Sequence, residues 1–84
     1  MTTLYIDKKG LNASLEGEAI VVREKGQRIV TVPLGPTDRV VLRGEVTVDT
    51  RLLSRCGERG VGILILSGRK QLPTLLLPRG YKDA

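Results

Sequence analysis

Residues 46–68 read VTVDTRLLSRCGERGVGILILSG, and this stretch determines the interpretation of the rest of the chain. Asp49 is a good N-cap, because its carboxylate can accept hydrogen bonds from the free backbone N–H groups of a first helical turn. Gly60 is suited to end a helix in a left-handed conformation. The stretch therefore predicts one compact amphipathic helix near residues 50–59.

The two sides of this helix differ in polarity. Its apolar side carries Leu52, Leu53 and Cys56, and its polar side carries Arg51, Arg55, Glu58 and Arg59. The apolar run that follows, residues 61–66, is too short for a ten-residue helix and is rich in β-branched residues. We expect it to be a strand buried on both faces, with the helix packed on the β-structure through its leucines.

The remaining sequence alternates short apolar runs with turn residues. Residues 3–15 read as a β-hairpin with Lys8 and Lys9 at its tip, and further strands are expected at 19–22, 29–32, 40–42 and 46–48. The proline-bounded run 72–78 reads as an edge strand or an extended arm. We expect a mostly β (α+β) fold, a small two-sheet β-sandwich or roll of about seven or eight short strands with one helix.

Length and composition limit the core. Eighty-four residues form one β-rich domain, residues 1–84, and leave no room for a second core. The chain has no Phe or Trp and only two Tyr, so Val, Leu and Ile must fill the interior. Few aromatic rings also argue against single-strand binding by base stacking.

The net charge of +5 is unevenly distributed. Residues 1–42 carry six Lys or Arg against five Asp or Glu, whereas residues 43–84 carry eight against four. This surplus is compatible with a polyanionic partner such as nucleic acid, although charge alone favours a solvated, mildly basic surface.

The chemistry of common active sites is missing from the sequence. There is no His and only one Cys, so neither a zinc site of the usual composition nor a Ser-His-Asp arrangement can be built. Cys56 reads as a core residue, and the carboxylates read as helix caps and surface ion pairs. We expect no catalytic residue and no bound metal or cofactor in these 84 residues.

The same features bear on location. A single cysteine allows no intramolecular disulfide, which favours a cytoplasmic protein. The N-terminus turns polar at residues 7–9 and no apolar run approaches about 20 residues, so we expect neither a signal peptide nor a membrane partner.

Two long stretches resemble one known family. LYIDKKGLNASLEGEAIVVREKG (residues 4–26) and TVPLGPTDRVVLRGEVTVDTRLLSRCGERGVGILILSG (residues 31–68) resemble the N-terminal β-domain of the CRISPR-associated endonuclease/integrase of spacer acquisition. The order and spacing of the pattern agree over residues 3–68, although no single motif is diagnostic.

The resemblance implies a function in antiviral defence that this domain does not perform alone. Family members are several-fold longer, and a helical C-terminal domain carries the residues that bind a divalent metal, Mg or Mn, and that cut and join DNA. None of those positions lies within this chain, which looks like the β-domain without its nuclease half. The resemblance implies a homodimer, a small partner protein of the adaptation complex, and double-stranded DNA as partners.

Any DNA contact is expected to be through phosphates, since Lys and Arg on loops neutralise backbone charge without reading sequence. The candidates are Lys8, Lys9, Arg43, Arg69 and Lys70. The arginines of the helix share one face, but Glu58 among them favours an ion-pair face over a basic stripe. Two alternative functions remain at this point, a stand-alone basic β-barrel that binds nucleic acid and a pure protein-interaction domain.

Overall fold

The computed structural model describes residues 2–66 and 72–78. The elements in chain order are β1 (Thr3–Ile6), β2 (Leu11–Glu16), β3 (Ala19–Glu24), β4 (Gln27–Pro33), β5 (Arg39–Arg43), β6 (Val46–Val48), α1 (Thr50–Arg59), β7 (Gly62–Leu66) and β8 (Pro73–Leu76). This arrangement confirms the mostly β, α+β class with about seven or eight short strands and one helix.

The strands form two four-stranded sheets. The first sheet has the order β1-β5-β7-β8, with β1, β5 and β7 parallel and β8 antiparallel at one edge. The second sheet has the order β4-β3-β2-β6, with antiparallel pairs on both sides of β3 and β6 parallel to β2. The run 72–78 thus supplies an edge strand, as expected from its prolines.

The hairpin expected over residues 3–15 does not form, because β1 and β2 belong to different sheets. β1 pairs with β5, with Ile6 opposite Leu42, whereas β2 pairs with β3 and β6. The turn at residues 7–10 carries the chain from one sheet to the other. Both strands alternate in polarity because each lines the same core from its own side, and the alternation does not reveal which strands pair.

The core lies between the two sheets. Its buried side chains are Ile6, Leu11, Ala13, Leu15, Ile20, Val22, Leu34, Val40, Leu42, Leu52, Cys56, Val61 and Ile63. Aliphatic and β-branched residues dominate this set, and such side chains pack well against a pleated surface. The expectation of a core built from Val, Leu and Ile is therefore confirmed.

Helix α1 follows the sequence pattern closely. A carboxylate oxygen of Asp49 accepts a hydrogen bond from the backbone N–H of Arg51 at 2.9 Å, which caps the first turn. Gly60 ends the helix with φ of 76°, in the left-handed region. Leu52 and Cys56 are buried, and the helix contacts β2 in one sheet and β7 in the other. The helix thus bridges the two sheets.

The expectation that residues 61–66 are buried on both faces is only partly correct. Val61, Gly62 and Ile63 are buried, but residues 64–66 are half-buried. The core covers the inner face of the first sheet, whereas Tyr5 and Leu75 on its outer face remain exposed. Within the described residues, this apolar run therefore has a covering layer on one face only.

Candidate nucleic-acid interface

Three turns lie at one end of the sandwich, which we call the turn end. It comprises the β1–β2 turn (residues 7–10), the β3–β4 turn (residues 25–26), and Arg43 with the β5–β6 turn (residues 44–45). The registers bring them together, because Ile6 lies opposite Leu42 in one sheet, and Leu11 lies opposite both Glu24 and Val46 in the other. The N–H of Gly10 donates to the carbonyl oxygen of Glu45 at 3.0 Å, which joins two of the turns.

Lys8 is partnered within the chain. Its ammonium group lies 2.8 Å from a carboxylate oxygen of Glu24, and its side chain remains 61% exposed. The hydrogen bond from Lys8, together with the nearby positive charge of Lys25, lowers the pKa of Glu24 from its ordinary value. Glu24 is therefore ionised at neutral pH, and its charge offsets part of the attraction of Lys8 for any other anion.

Arg43 and Lys9 are less constrained. The guanidinium of Arg43 lies 3.9 Å from a carboxylate oxygen of Asp7, a loose pair in which both groups are more than half exposed. Lys9 and Glu45 line one open groove of about 540 Å³, with Leu42, Val46 and Ile65 among its apolar lining. Lys9 forms no ion pair with any residue in the described part of the chain.

Lys25 is a further cation at the turn end, and it is not among the residues expected from the sequence to contact phosphates. It occupies the two-residue β3–β4 turn together with Gly26, and both residues have positive φ values, 51° and 80°. This pattern is typical of a type I′ hairpin turn, and the side chain of Lys25 is exposed there. A lysine directly before a glycine, between two strand-like runs, was the available signal.

Arg69 and Lys70 lie outside the described residues. The described strand before them, β7, ends at Leu66, whose carbonyl oxygen accepts a hydrogen bond from the N–H of Gly44 at 3.3 Å. β8 begins at Pro73, opposite Leu66 in the register. The strands on both sides of these two candidates thus meet the turn end. Lys8, Lys9 and Arg43 are brought together there, and all five phosphate contacts stay predictions.

The arginines of α1 form an ion-pair face. Glu18, in the β2–β3 turn, accepts hydrogen bonds from both Arg55 and Arg59. Arg55 also pairs with Glu58 at 2.9 Å. The guanidinium of Arg51 lies 3.2 Å from the carboxylate of Asp49 and donates to the carbonyl oxygen of Leu15 at 3.2 Å. Each positive charge has a negative partner, so this face is neutral and joins the helix to the second sheet.

The acidic side chains of residues 2–66 and 72–78 do not form a metal-binding cluster. No group of three or more His, Cys, Asp or Glu side chains suited to hold a metal ion occurs there. Hydrogen bonds also lower the pKa values of Glu16 and Asp49, from Arg23 to Glu16 and from the backbone of Arg51 to Asp49. A carboxyl that ionises more readily than usual is poorly suited to act as a general acid near neutral pH.

The outer face of the first sheet carries an apolar row. Register partners place Tyr5 beside Val41, Val41 beside Leu64, and Leu64 beside Leu75, so the row crosses all four strands. Its two ends are exposed, Tyr5 at 69% and Leu75 at 60%. The neighbouring Leu72 and Leu77 are also more than half exposed. An exposed apolar row of this kind is a candidate interaction surface.

No helix in the described part of the chain is long and apolar enough to cross a membrane.

Comparisons with known proteins identify the fold. A Cas1 protein from Thermotoga maritima matches with a TM-score of 0.80 at 19% identity, over 99% of this chain and 25% of that chain. A chain of a partial Cas6-RT-Cas1–Cas2 complex matches with a TM-score of 0.82 at 17% identity, over 94% and 24% of the two chains. A Cas1–DNA complex matches with a TM-score of 0.79 at 11% identity, over 99% and 28%. These structures share the fold of this chain.

Sequence comparison identifies the family. The CRISPR-associated endonuclease Cas1 1 of Thermodesulfovibrio yellowstonii is 32% identical over 76 residues, which are 90% of this chain and 24% of that protein. The chain therefore spans about a quarter of the length of this relative. The family model described as CRISPR associated protein Cas1 matches residues 4–84. The chain belongs to the Cas1 family of CRISPR-associated proteins, and its predicted relation to the N-terminal β-domain of that family is confirmed.

Proposed function

We propose that this chain is the dimerisation and DNA-presenting N-terminal domain of a CRISPR spacer-acquisition endonuclease and integrase, and that these residues perform no catalysis alone. Family membership over residues 4–84 supports the assignment. The relative from T. yellowstonii is called an endonuclease, and three quarters of its length lies outside the match. We assign the cutting and joining of DNA, and the Mg²⁺ or Mn²⁺ that the family uses, to that remaining part.

The observation that carries the dimerisation role is the exposed apolar edge at β8. In the described chain β8 pairs only with β7, so its second edge is free for another strand. Leu72, Leu75 and Leu77 are each more than half exposed on or beside this edge. A second copy would bury these leucines and pair the edge. A two-fold interface of this kind is isologous, so one substitution alters both halves of it.

Light scattering on the purified 84-residue chain tests this role. We expect a dimer of the 9.2 kDa chain, and we expect Leu75→Lys to give a monomer because it places two charges at the interface. Thr31→Lys is the matched control, since Thr31 is exposed on β4 of the other sheet. A monomeric wild-type chain, or a Leu75→Lys variant that stays dimeric, would overturn the proposal.

The DNA-presenting role rests on the turn end. Lys8, Lys9, Lys25 and Arg43 provide four positive charges on neighbouring turns, against the carboxylates of Asp7, Glu24 and Glu45. A modest surplus of exposed cations suits contact with phosphates and not recognition of bases. One matched structure is a Cas1–DNA complex and another contains Cas1 with Cas2. We propose duplex DNA and a Cas2-type small protein as partners of the longer protein.

A titration of the chain with a labelled DNA duplex at low salt tests this role. We expect weak binding that decreases steeply with salt, and we expect Lys9→Gln to reduce both the affinity and the salt dependence. Lys9 is chosen because it forms no ion pair with described residues, so its loss leaves no carboxylate unpaired. If Lys9→Gln binds DNA as tightly as the wild type at every salt concentration, the turn end is not the DNA surface.

The rival functions gain no specific support. A stand-alone nucleic-acid barrel does not explain the apolar row that ends at Leu75, and no specific observation favours a pure protein-interaction domain over the family assignment. The single cysteine, with no intramolecular disulfide, fits the cytoplasmic location that we propose for this protein of antiviral defence.

A further inference from the structure

The pairing of Lys8 with Glu24 bears on how the turn end meets DNA. Glu24 is the last residue of β3 and is held by strand pairing on both sides, opposite Leu11 and opposite Gln27. Its side chain is only 30% exposed, whereas that of Lys8 is 61% exposed. The carboxylate is therefore the fixed member of the pair and the ammonium group is the movable one.

We propose that Glu24 is a positioning residue of the turn end. Its carboxylate holds the Lys8 ammonium against the protein and offsets its charge, so Lys8 contacts a DNA phosphate with its full charge only when that phosphate displaces the carboxylate. This inference rests on the proposed DNA-presenting function, because it concerns the same surface.

The charges around the pair indicate which anion can make the exchange. Lys25 follows Glu24 directly in the turn, and Lys9 follows Lys8. A single phosphate that reached Lys8 would also meet the charge of Glu24, which has no other described cation within ion-pair distance. Lys8, Lys9 and Lys25 lie on neighbouring turns, so a phosphate backbone that follows the turn end meets several positive charges, and these additional attractions offset the repulsion. The class of ligand is therefore a linear polyanion with several phosphates.

The matched carboxylate at the turn end is Glu45. It is exposed, carries the same charge as Glu24 and lines the groove beside Lys9, but it forms no ion pair with a described residue. Glu24→Gln and Glu45→Gln each raise the net charge by one. Only Glu24→Gln also frees Lys8. The difference in DNA affinity between the two variants therefore measures the effect of holding Lys8 in place, and not the effect of overall charge.

The test is a titration of the 84-residue chain with a labelled duplex over a range of salt concentrations, with thermal unfolding as a check on folding. We expect Glu24→Gln to bind about two- to fivefold more tightly than Glu45→Gln, which is the value of one exposed ion pair. The slope of log affinity against log salt should steepen by about one unit in Glu24→Gln alone, as for one additional phosphate contact. In the Lys8→Gln background the advantage of Glu24→Gln over Glu45→Gln should disappear.

Each result has one meaning. Equal gains for the two carboxylate variants, or an advantage that persists without Lys8, would overturn the inference and leave the DNA-presenting function intact. If neither the wild type nor Glu24→Gln binds the duplex at low salt, the DNA-presenting function fails as well. Binding by Glu24→Gln alone would support the inference directly.

Discussion

Leu52 and Cys56 lie one helical turn apart on α1 and are almost completely buried, at 2% and 1% exposure. Both belong to the cluster formed between the two sheets. Leu53, the next residue of the apolar side, is only half-buried and packs at the margin of that cluster. The helix therefore contributes one narrow line of side chains to the core. Substitutions at neighbouring positions should differ in how much they lower the free energy of unfolding.

We expect Leu52→Ala to lower the free energy of unfolding by about 2–5 kcal/mol, because it removes a buried side chain and leaves a cavity. Leu53→Ala should cost clearly less, since solvent already reaches that side chain. Urea unfolding at equilibrium measures both variants. Equal losses would show that the two leucines contribute equally to the core, contrary to their burial.

Cys56 should be chemically inert in the folded chain. Burial raises the pKa of its thiol, so the reactive thiolate is scarce at neutral pH, and the surrounding core excludes reagents. We expect a thiol reagent such as dithionitrobenzoate to react slowly with the native chain and quickly in urea. Because this is the chain's only cysteine, the signal comes from one site. Fast labelling of the native chain would contradict the placement of Cys56 in the core.

The helix could be predicted from sequence because its signals are local. Asp49 caps it, Gly60 ends it, and the apolar side between them has helical spacing, so no distant residue was needed. The ion-pair face of the helix could also be predicted from the spacing of its charged residues, but its main acceptor, Glu18, could not. Glu18 lies far from Arg55 and Arg59 in the sequence, and only the packing of the β2–β3 turn against the helix brings them together.

Strand pairing was harder to predict, because alternation shows which residues face a core but not which strand is the neighbour. The short turn at residues 7–10 is as compatible with a hairpin as with the observed passage between sheets. The pairing of Ile6 with Leu42 depends on contacts remote in sequence. For the same reason, Lys8 and Lys9 could be selected as exposed turn residues, whereas the partnership of Lys8 with Glu24 could not.

The acid sensitivity of the chain should depend on Glu16. A hydrogen bond from Arg23 is the main cause that lowers the pKa of Glu16 below its ordinary value of 4.5, and Arg28 contributes through a pair at 2.9 Å. The folded state favours the ionised form of Glu16. Its contribution to stability is therefore fully present above pH 4.5 and is lost as the pH falls through the lower pKa of the folded state.

Glu16→Gln should therefore reduce the melting temperature near neutral pH and weaken its dependence on pH in the acid range. Thermal unfolding at several pH values between about 3 and about 7 measures both effects. Glu45→Gln is the control, since Glu45 forms no ion pair with a described residue. If the wild type and Glu16→Gln lose stability in parallel as the pH falls, Glu16 does not contribute in this way.

Two glycines, one within α1 and one directly after it, should respond in opposite directions to substitution by alanine. Gly57 lies inside the helix, and a Cβ atom built there has no neighbour within 4 Å. Gly57→Ala should stabilise the chain by roughly 0.5–1 kcal/mol, because alanine loses less backbone entropy than glycine in a helix.

Gly60 also has open space around it, but its φ of 76° lies in the left-handed region. Gly60→Ala should destabilise the chain by about 1–2 kcal/mol through that conformation alone. Urea unfolding of both variants measures the difference, and destabilisation by Gly57→Ala or a neutral Gly60→Ala would contradict the assigned end of the helix.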